Sequence, residues 1–224
     1  MNVSPPVNLQ ELVRRANALS GITLQQLANQ VNITVPSSTH SAKGWAGNLL
    51  EIALGVDAKN APEPDFRKLG IELKTIPIDK NGKTNESTYI CIVQLDPGEL
   101  KDWDTSLVKA KLNKVLWIPI EGDKDVPLSL RRIGTPVLWK PDVNEEKQLR
   151  QDWQELCDMI VMGEIDKISS SMGKYLQIRP KAANAKALTK NKNQYGETKA
   201  TLPRGFYLRA TFTQSIIGSL NDND

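Results

Sequence analysis

The chain has 224 residues, 39% hydrophobic and 25% charged, with a formal net charge of +3, a balance that suits a soluble globular protein burying its core in one large domain or two lobes. No apolar run approaches the roughly 20 residues a bilayer crossing needs, and the start, MNVSPPVNLQ, lacks the basic and apolar regions of a signal peptide. Two distant cysteines, Cys91 and Cys157, and one histidine, His40, argue against a disulfide framework and His-rich zinc sites, and leave any Ser-His or Cys-His nucleophile dependent on His40.

Taken in order, the pattern predicts a helix over residues 9–19, capped by Asn8 and ended by Gly21. Thr23 with Gln26 marks a capping box for a short helix over 24–31. A polar loop carrying His40 follows, then a helix over 45–54 that Gly55 stops. In that helix Leu49, Ile52 and Ala53 face the core, and Glu51 sits at the edge of their stripe, where it either pairs with a base or binds a cation. Residues 70–78 and 88–94 are β-rich and flank DKNGKTNES, whose Asn81-Gly82 predicts a hairpin. A helix over 106–112 and strands over 115–120 and 132–139 come next. The longest helix, over 144–162, buries Leu149, Trp153, Leu156, Cys157 and Ile160; its acidic outer face suits solvent or a basic partner. A strand over 175–178 runs into Arg179-Pro180-Lys181, followed by an Ala-rich stretch over 182–188 and a polar loop over 191–196. Mixed β character over 206–212 and a tail helix over 213–220 close the chain. The order predicts a mixed α/β fold with a central mixed sheet flanked by helices.

Charge is uneven. From Lys174 to Arg209 nine basic residues stand against Glu197 alone, a net of +8 that leaves −5 for the rest. Tyr175, Tyr195, Phe206 and Tyr207 are interleaved with those charges, which favours a polyanion-binding face over a merely solvated loop.

The densest chemistry lies between Lys43 and Lys74. Glu72 and Lys74 are two apart on a strand and share a face, and Asp65 precedes them after Pro62 and Pro64. Mg²⁺ needs only a few oxygen ligands besides water and a substrate phosphate, so Asp65, Glu72 and the carbonyl of Leu73 could hold it. Two such ions roughly 4 Å apart would serve an in-line displacement at phosphorus. Lys74 has two readings: it orients water and neutralises charge on the pentavalent phosphorus, or it is a salt-bridge partner of an acid. No Walker loop, no G-x-G-x-x-G after a strand and no HExxH is present.

The D-x6-E-x-K spacing resembles the PD-(D/E)xK restriction-endonuclease superfamily. The blocks KGWAGNLLEIALG, EPDFRKLGIELKTIPID, KVLWIPIEG, LQIRPKAANAKAL and TLPRGFYL are similar to the MutH family of methyl-directed mismatch-repair endonucleases, over about residues 8–215. The resemblance implies a restriction-endonuclease-like sheet in two lobes around a DNA-binding cleft, approximately residues 1–105 and 106–224. It implies a monomer of the bacterial cytosol, associated with the nucleoid when active, that uses Mg²⁺ to nick the unmethylated strand at hemimethylated GATC sites, stimulated by MutL in response to MutS. By the same resemblance Glu51, Asp65, Glu72 and Lys74 are catalytic, with Glu51, Asp65, Glu72 and the Leu73 carbonyl at the metal. Lys43 with Gly44, and Lys111, contact DNA. Arg179, Pro180 and Lys181 read the GATC bases, and Tyr207 senses the adenine. Tyr89 stands where a related protein has phenylalanine and receives no role, and the tail after Ser215 diverges. Two other readings stay open: an autonomous GATC restriction endonuclease, and a DNA-binding adaptor without chemistry.

Overall fold

The computed structural model describes residues 3–37, 44–58, 62–100, 102–181, 186 and 188–218, and Lys43 and His40 lie outside them. Among the described residues, six α-helices and three small sheets make a mixed α/β fold. Contacts divide the chain into two interleaved units: Met1–Glu86 with Asn113–Lys140 and Gln214–Asp224, and Ser87–Leu112 with Pro141–Thr213.

The first unit begins with α1 (Leu9–Asn17), where the Asn8 side chain accepts the Glu11 N–H, and α2 (Leu24–Gln30), where Thr23 and Gln26 form the expected reciprocal box. Each device satisfies backbone N–H groups that the first helical turn leaves without partners. Helix α3 (Trp45–Leu54) starts after Gly44 and stops at Gly55, both left-handed at φ 76° and 80°. The core of this unit packs Leu12, Leu27, Leu49, Leu50, Ile71 and Leu116 into one cluster.

Strand β1 (Glu72–Ile78) lies parallel to β3 (Val115–Glu121), which pairs antiparallel with β4 (Val137–Trp139). The central β3 is buried along six of its seven residues, as expected of a strand covered on both faces. The expected hairpin between 70–78 and 88–94 does not form. The Asn81-Gly82 turn does, with Gly82 N–H on the Asp79 carbonyl at 2.9 Å and Asp79 N–H on that of Lys83 at 2.8 Å. Yet β2 (Thr88–Ile92) leaves it for another sheet, in the order β2-β8-β5. A tight turn reverses the chain locally, and the strands beyond it are free to take better-packed partners elsewhere.

In the second unit, β8 (Arg204–Leu208) lies between β2 and β5 (Leu176–Pro180), antiparallel to both. Helix α4 (Leu107–Leu112) packs against β2. The long α5 (Val143–Val161) carries an Asp142–Glu145 capping box and buries the predicted stripe. Its Trp153 meets Trp103 at 5.9 Å between ring centres. Residues 189–201, read in part as a polar loop, form a hairpin of β6 (Thr189–Lys192) and β7 (Thr198–Thr201). Its strands are short and polar apart from Ala200, and the residues they bury are Asn191 and Thr201, so no apolar alternation announces them. Helix α6 (Ala210–Gly218) begins three residues earlier than expected. No helix among the described residues is long and apolar enough to cross a membrane.

Candidate active site and nucleic-acid interface

The spacing between Asp65 and Glu72 has a local cause. The chain turns through a single 3-10 turn, Arg67–Leu69, and the left-handed Gly70 (φ 61°). Phe66 and Ile71 then face each other as an antiparallel bridge, exchanging bonds of 2.9 and 3.3 Å. Asp65 therefore stands opposite Glu72 at the entrance to β1. Its Oδ2 accepts the Leu73 N–H at 2.8 Å, and its carbonyl accepts the N–H groups of Asp57 and Ala58, both at 3.2 Å.

The backbone of β1 makes the next assignment. Glu72 N–H donates to the Lys114 carbonyl at 3.0 Å, so the backbone groups of Glu72 face β3. Those of Leu73, one residue on, face the other edge of the strand, which is the outer edge of the three-stranded sheet. The Leu73 carbonyl thus opens on the same edge where its N–H meets Asp65. Glu72 is 2% exposed, and its Oε1 accepts from Lys74 Nζ at 2.6 Å, with the Lys74 side chain 16% exposed. The structure gathers these residues at the start of β1 as two bonded pairs, Asp65 with the Leu73 N–H on the outer edge and Lys74 with Glu72 on one face of the strand.

Glu51 is half-buried on α3, one helical turn beyond Gly47 and on the same face. That face approaches β1, where a Cβ on Gly47 would meet Thr75 Oγ1 at 3.7 Å. Among the described residues no three His, Cys, Asp or Glu side chains form a group that could hold a metal ion. Two carboxylates and a backbone carbonyl are a donor set of the size Mg²⁺ uses when waters and phosphate oxygens complete its octahedron. All three are hard oxygen donors, and they fit that ion rather than a thiolate- or imidazole-seeking one.

The basic segment builds its own surface in the second unit. In the sheet register Tyr207 on β8 stands between Tyr89 on β2 and Gln177 on β5. The two tyrosine rings meet edge to face at 5.4 Å. Arg179 lies 5.8 Å from the Tyr207 ring centre, and Lys181 Nζ lies 3.0 Å from that of Tyr89. Arg179 and Pro180 are exposed, and Arg179 donates to Ser87 Oγ. Burial pushes the Tyr89 phenol up to about 12, with Cys91 and Tyr207 adding to the effect. Lys111 is half-buried on α4.

The sequence as a whole finds its match in known proteins. The profile of the family described as DNA mismatch repair enzyme MutH matches residues 54–152. A DNA mismatch repair protein MutH from Escherichia coli (strain K12) is 50% identical over 215 residues, covering 96% of this chain and 94% of that protein. The chain belongs to the MutH family. A MutH from Shewanella sp. (strain MR-4) is 48% identical over 218 residues, covering 97% of this chain and 98% of the relative. Another, from Shewanella oneidensis, is 48% identical over 219 residues, covering 98% of each.

Sequence reasoning missed two residues that hold the surface in place. Asp152, on α5 and 2% exposed, accepts the N–H groups of Lys174, Tyr175 and Leu176 on Oδ2, at 2.9, 2.6 and 2.9 Å, and Gln148 Nε2 on Oδ1 at 2.8 Å. Arg209 donates to the carbonyls of Gly173 (2.7 Å), Ser170 (2.7 Å) and Met172 (3.2 Å). Together they pin the turn that launches β5 and hence Arg179. The one sequence signal for Asp152 is an acid within the apolar stripe, between Leu149 and Leu156.

Proposed function

We propose that the protein is a Mg²⁺-dependent endonuclease that nicks the unmethylated strand of hemimethylated GATC sites in mismatch repair, stimulated by MutL after MutS has met a mismatch. The observation that carries this reading is the start of β1, where Asp65 is fixed on the Leu73 N–H and Lys74 on Glu72, in a chain of the MutH family.

In this reading Asp65, Glu72 and the Leu73 carbonyl would hold one or two Mg²⁺ ions, and Glu51, on the face of α3 that approaches β1, would join them only once the ion is bound. A bound Mg²⁺ supplies Lewis-acid stabilisation of charge on the phosphoryl oxygens and a more acidic water. Lys74 orients the attacking water and neutralises charge at the pentavalent phosphorus. Its 2.6 Å bond to Glu72 presets its position before substrate arrives. Lys43, Gly44 and Lys111 contact the DNA backbone and contribute affinity without sequence information, an affinity that falls with salt.

Sequence choice falls to the second unit. Arg179 makes the bidentate bond to guanine O6 and N7 that a planar guanidinium suits, with Pro180 and Lys181 beside it. Tyr207 packs at adenine N6, where an added methyl has no room, so methylated strands are refused sterically. The protein works as a monomer in the cytoplasm, on nucleoid DNA.

The test is a nicking assay on a hemimethylated GATC plasmid, with strand analysis, with and without MutL. Slow Mg²⁺-dependent nicking of the unmethylated strand, accelerated by MutL, is expected. Efficient cutting of both strands of unmethylated DNA without MutL would make the protein an autonomous restriction endonuclease instead. No cleavage under either condition would leave only an adaptor role.

A further inference from the structure

We infer that Gly205 determines methyl discrimination, because it is the gap in β8 on which the Tyr89 and Tyr207 rings are seated. This rests on the methyl-sensing role proposed for Tyr207. Gly205 is paired with Arg179 on β5 and Ile92 on β2. It lies two residues from Tyr207 and so shares its face of the sheet. A Cβ at position 205 would stand 2.9 Å from Tyr89 Cε2, 3.1 Å from Tyr207 Cε2 and 3.2 Å from Tyr89 Cδ2.

Backbone conformation is not the reason for this glycine. Eight glycines of the chain have positive φ and Gly205 is not among them, so an alanine there meets no torsional penalty. What excludes a side chain is the two rings. Moving the Tyr89 ring sideways disturbs both its edge-to-face contact with Tyr207 at 5.4 Å and its contact with Lys181 Nζ at 3.0 Å. The displacement is therefore shared with Tyr207, the ring that reads the adenine. Gly205 acts as a positioning residue: it touches no DNA and sets how far the sensing ring stands from the strand.

The test is a double-mutant cycle of Gly205→Ala and Tyr89→Ala, read as kcat/KM on hemimethylated over fully methylated GATC. Gly205→Ala lowers that ratio by about tenfold, in scale with the on the order of 100-fold cost of a ~1 Å misplacement. Tyr89→Ala in the Gly205→Ala background removes the ring edge at 2.9 Å and recovers most of the loss relative to Tyr89→Ala alone. An additive cycle, in which the second substitution recovers nothing, overturns the inference. So does a Gly205→Ala protein with wild-type discrimination, which leaves the proposed function standing. A wild-type protein without methyl discrimination overturns both. If Gly205→Ala alone does not fold, the same coupling is read as recovery of the thermal unfolding transition in the double variant, and its absence there counts against the inference.

Discussion

Lys74 Nζ stands 2.6 Å from Glu72 Oε1, and the acid is 2% exposed. The lysine of the site is held by the carboxylate that this reading gives to the metal, so one strand presents the base and the acid in a fixed relation. Glu72→Ala is expected to abolish Mg²⁺-dependent nicking while DNA affinity, measured by fluorescence anisotropy, stays near wild type. Normal turnover in that variant would remove Glu72 from the metal site.

The same pair has a stability consequence. Removing one partner of a fully buried ion pair costs roughly 3–5 kcal/mol, and partial exposure reduces this. With its side chain 16% exposed, Lys74→Ala should lower the unfolding free energy by about 1–3 kcal/mol. Urea denaturation of the two single variants and the double variant measures the coupling, and a coupling of zero would show the pair to be energetically idle.

Tyr207→Ala is expected to weaken discrimination between hemimethylated and fully methylated GATC, because the ring proposed to refuse the methyl is gone. Nicking rates on the two substrates decide this. Full discrimination in the variant would move the sensor to another residue.

Asp152 joins α5 to three successive backbone N–H groups at the start of β5. A buried group that loses its hydrogen-bond partner costs about 1–3 kcal/mol, and Lys174 is exposed enough for water to substitute. Asp152→Ala should therefore cost about 2–4 kcal/mol, and Asp152→Asn, which keeps one acceptor oxygen, distinctly less. Equal losses for the two variants in urea denaturation would argue that packing, not hydrogen bonding, is the role of this side chain.

Burial pushes the Cys157 thiol up from 9.0 to about 12, with Asp158 and Cys91 acting in the same direction. The folded pKa lies above the unfolded one, so this contribution to stability is fully present below pH 9 and is lost as pH rises through about 12. Native protein should leave Cys157 unmodified by a thiol reagent at pH 8, with reaction appearing on denaturation. Rapid labelling of Cys157 in the native state would contradict its burial.

Helix ends and local turns were legible because their causes lie within a few residues. Asn8 and the Thr23–Gln26 box mark where α1 and α2 start, and β1 places Glu72 and Lys74 on one face by its period of two. The hairpin expected around Asn81-Gly82 was not legible as a mistake, since that turn forms whether or not its flanking strands pair. The β6–β7 hairpin was hidden for another reason: the residues it buries, Asn191 and Thr201, are polar, so burial left no apolar pattern in the sequence.

The sequence by itself determined the helix caps, the i, i+2 alignment of Glu72 with Lys74, the basic segment with its interleaved aromatics, and the blocks that mark the family. All of these depend on neighbours along the chain. Only the tertiary structure decided that β1 pairs with β3, leaving the Leu73 carbonyl and Asp65 on the strand's outer edge. It also decided that β8 lies between β2 and β5, setting Tyr207 against Tyr89 and both rings over Gly205. Strand partners are chosen by burial and packing summed over the whole chain, and no short stretch of residues carries that sum.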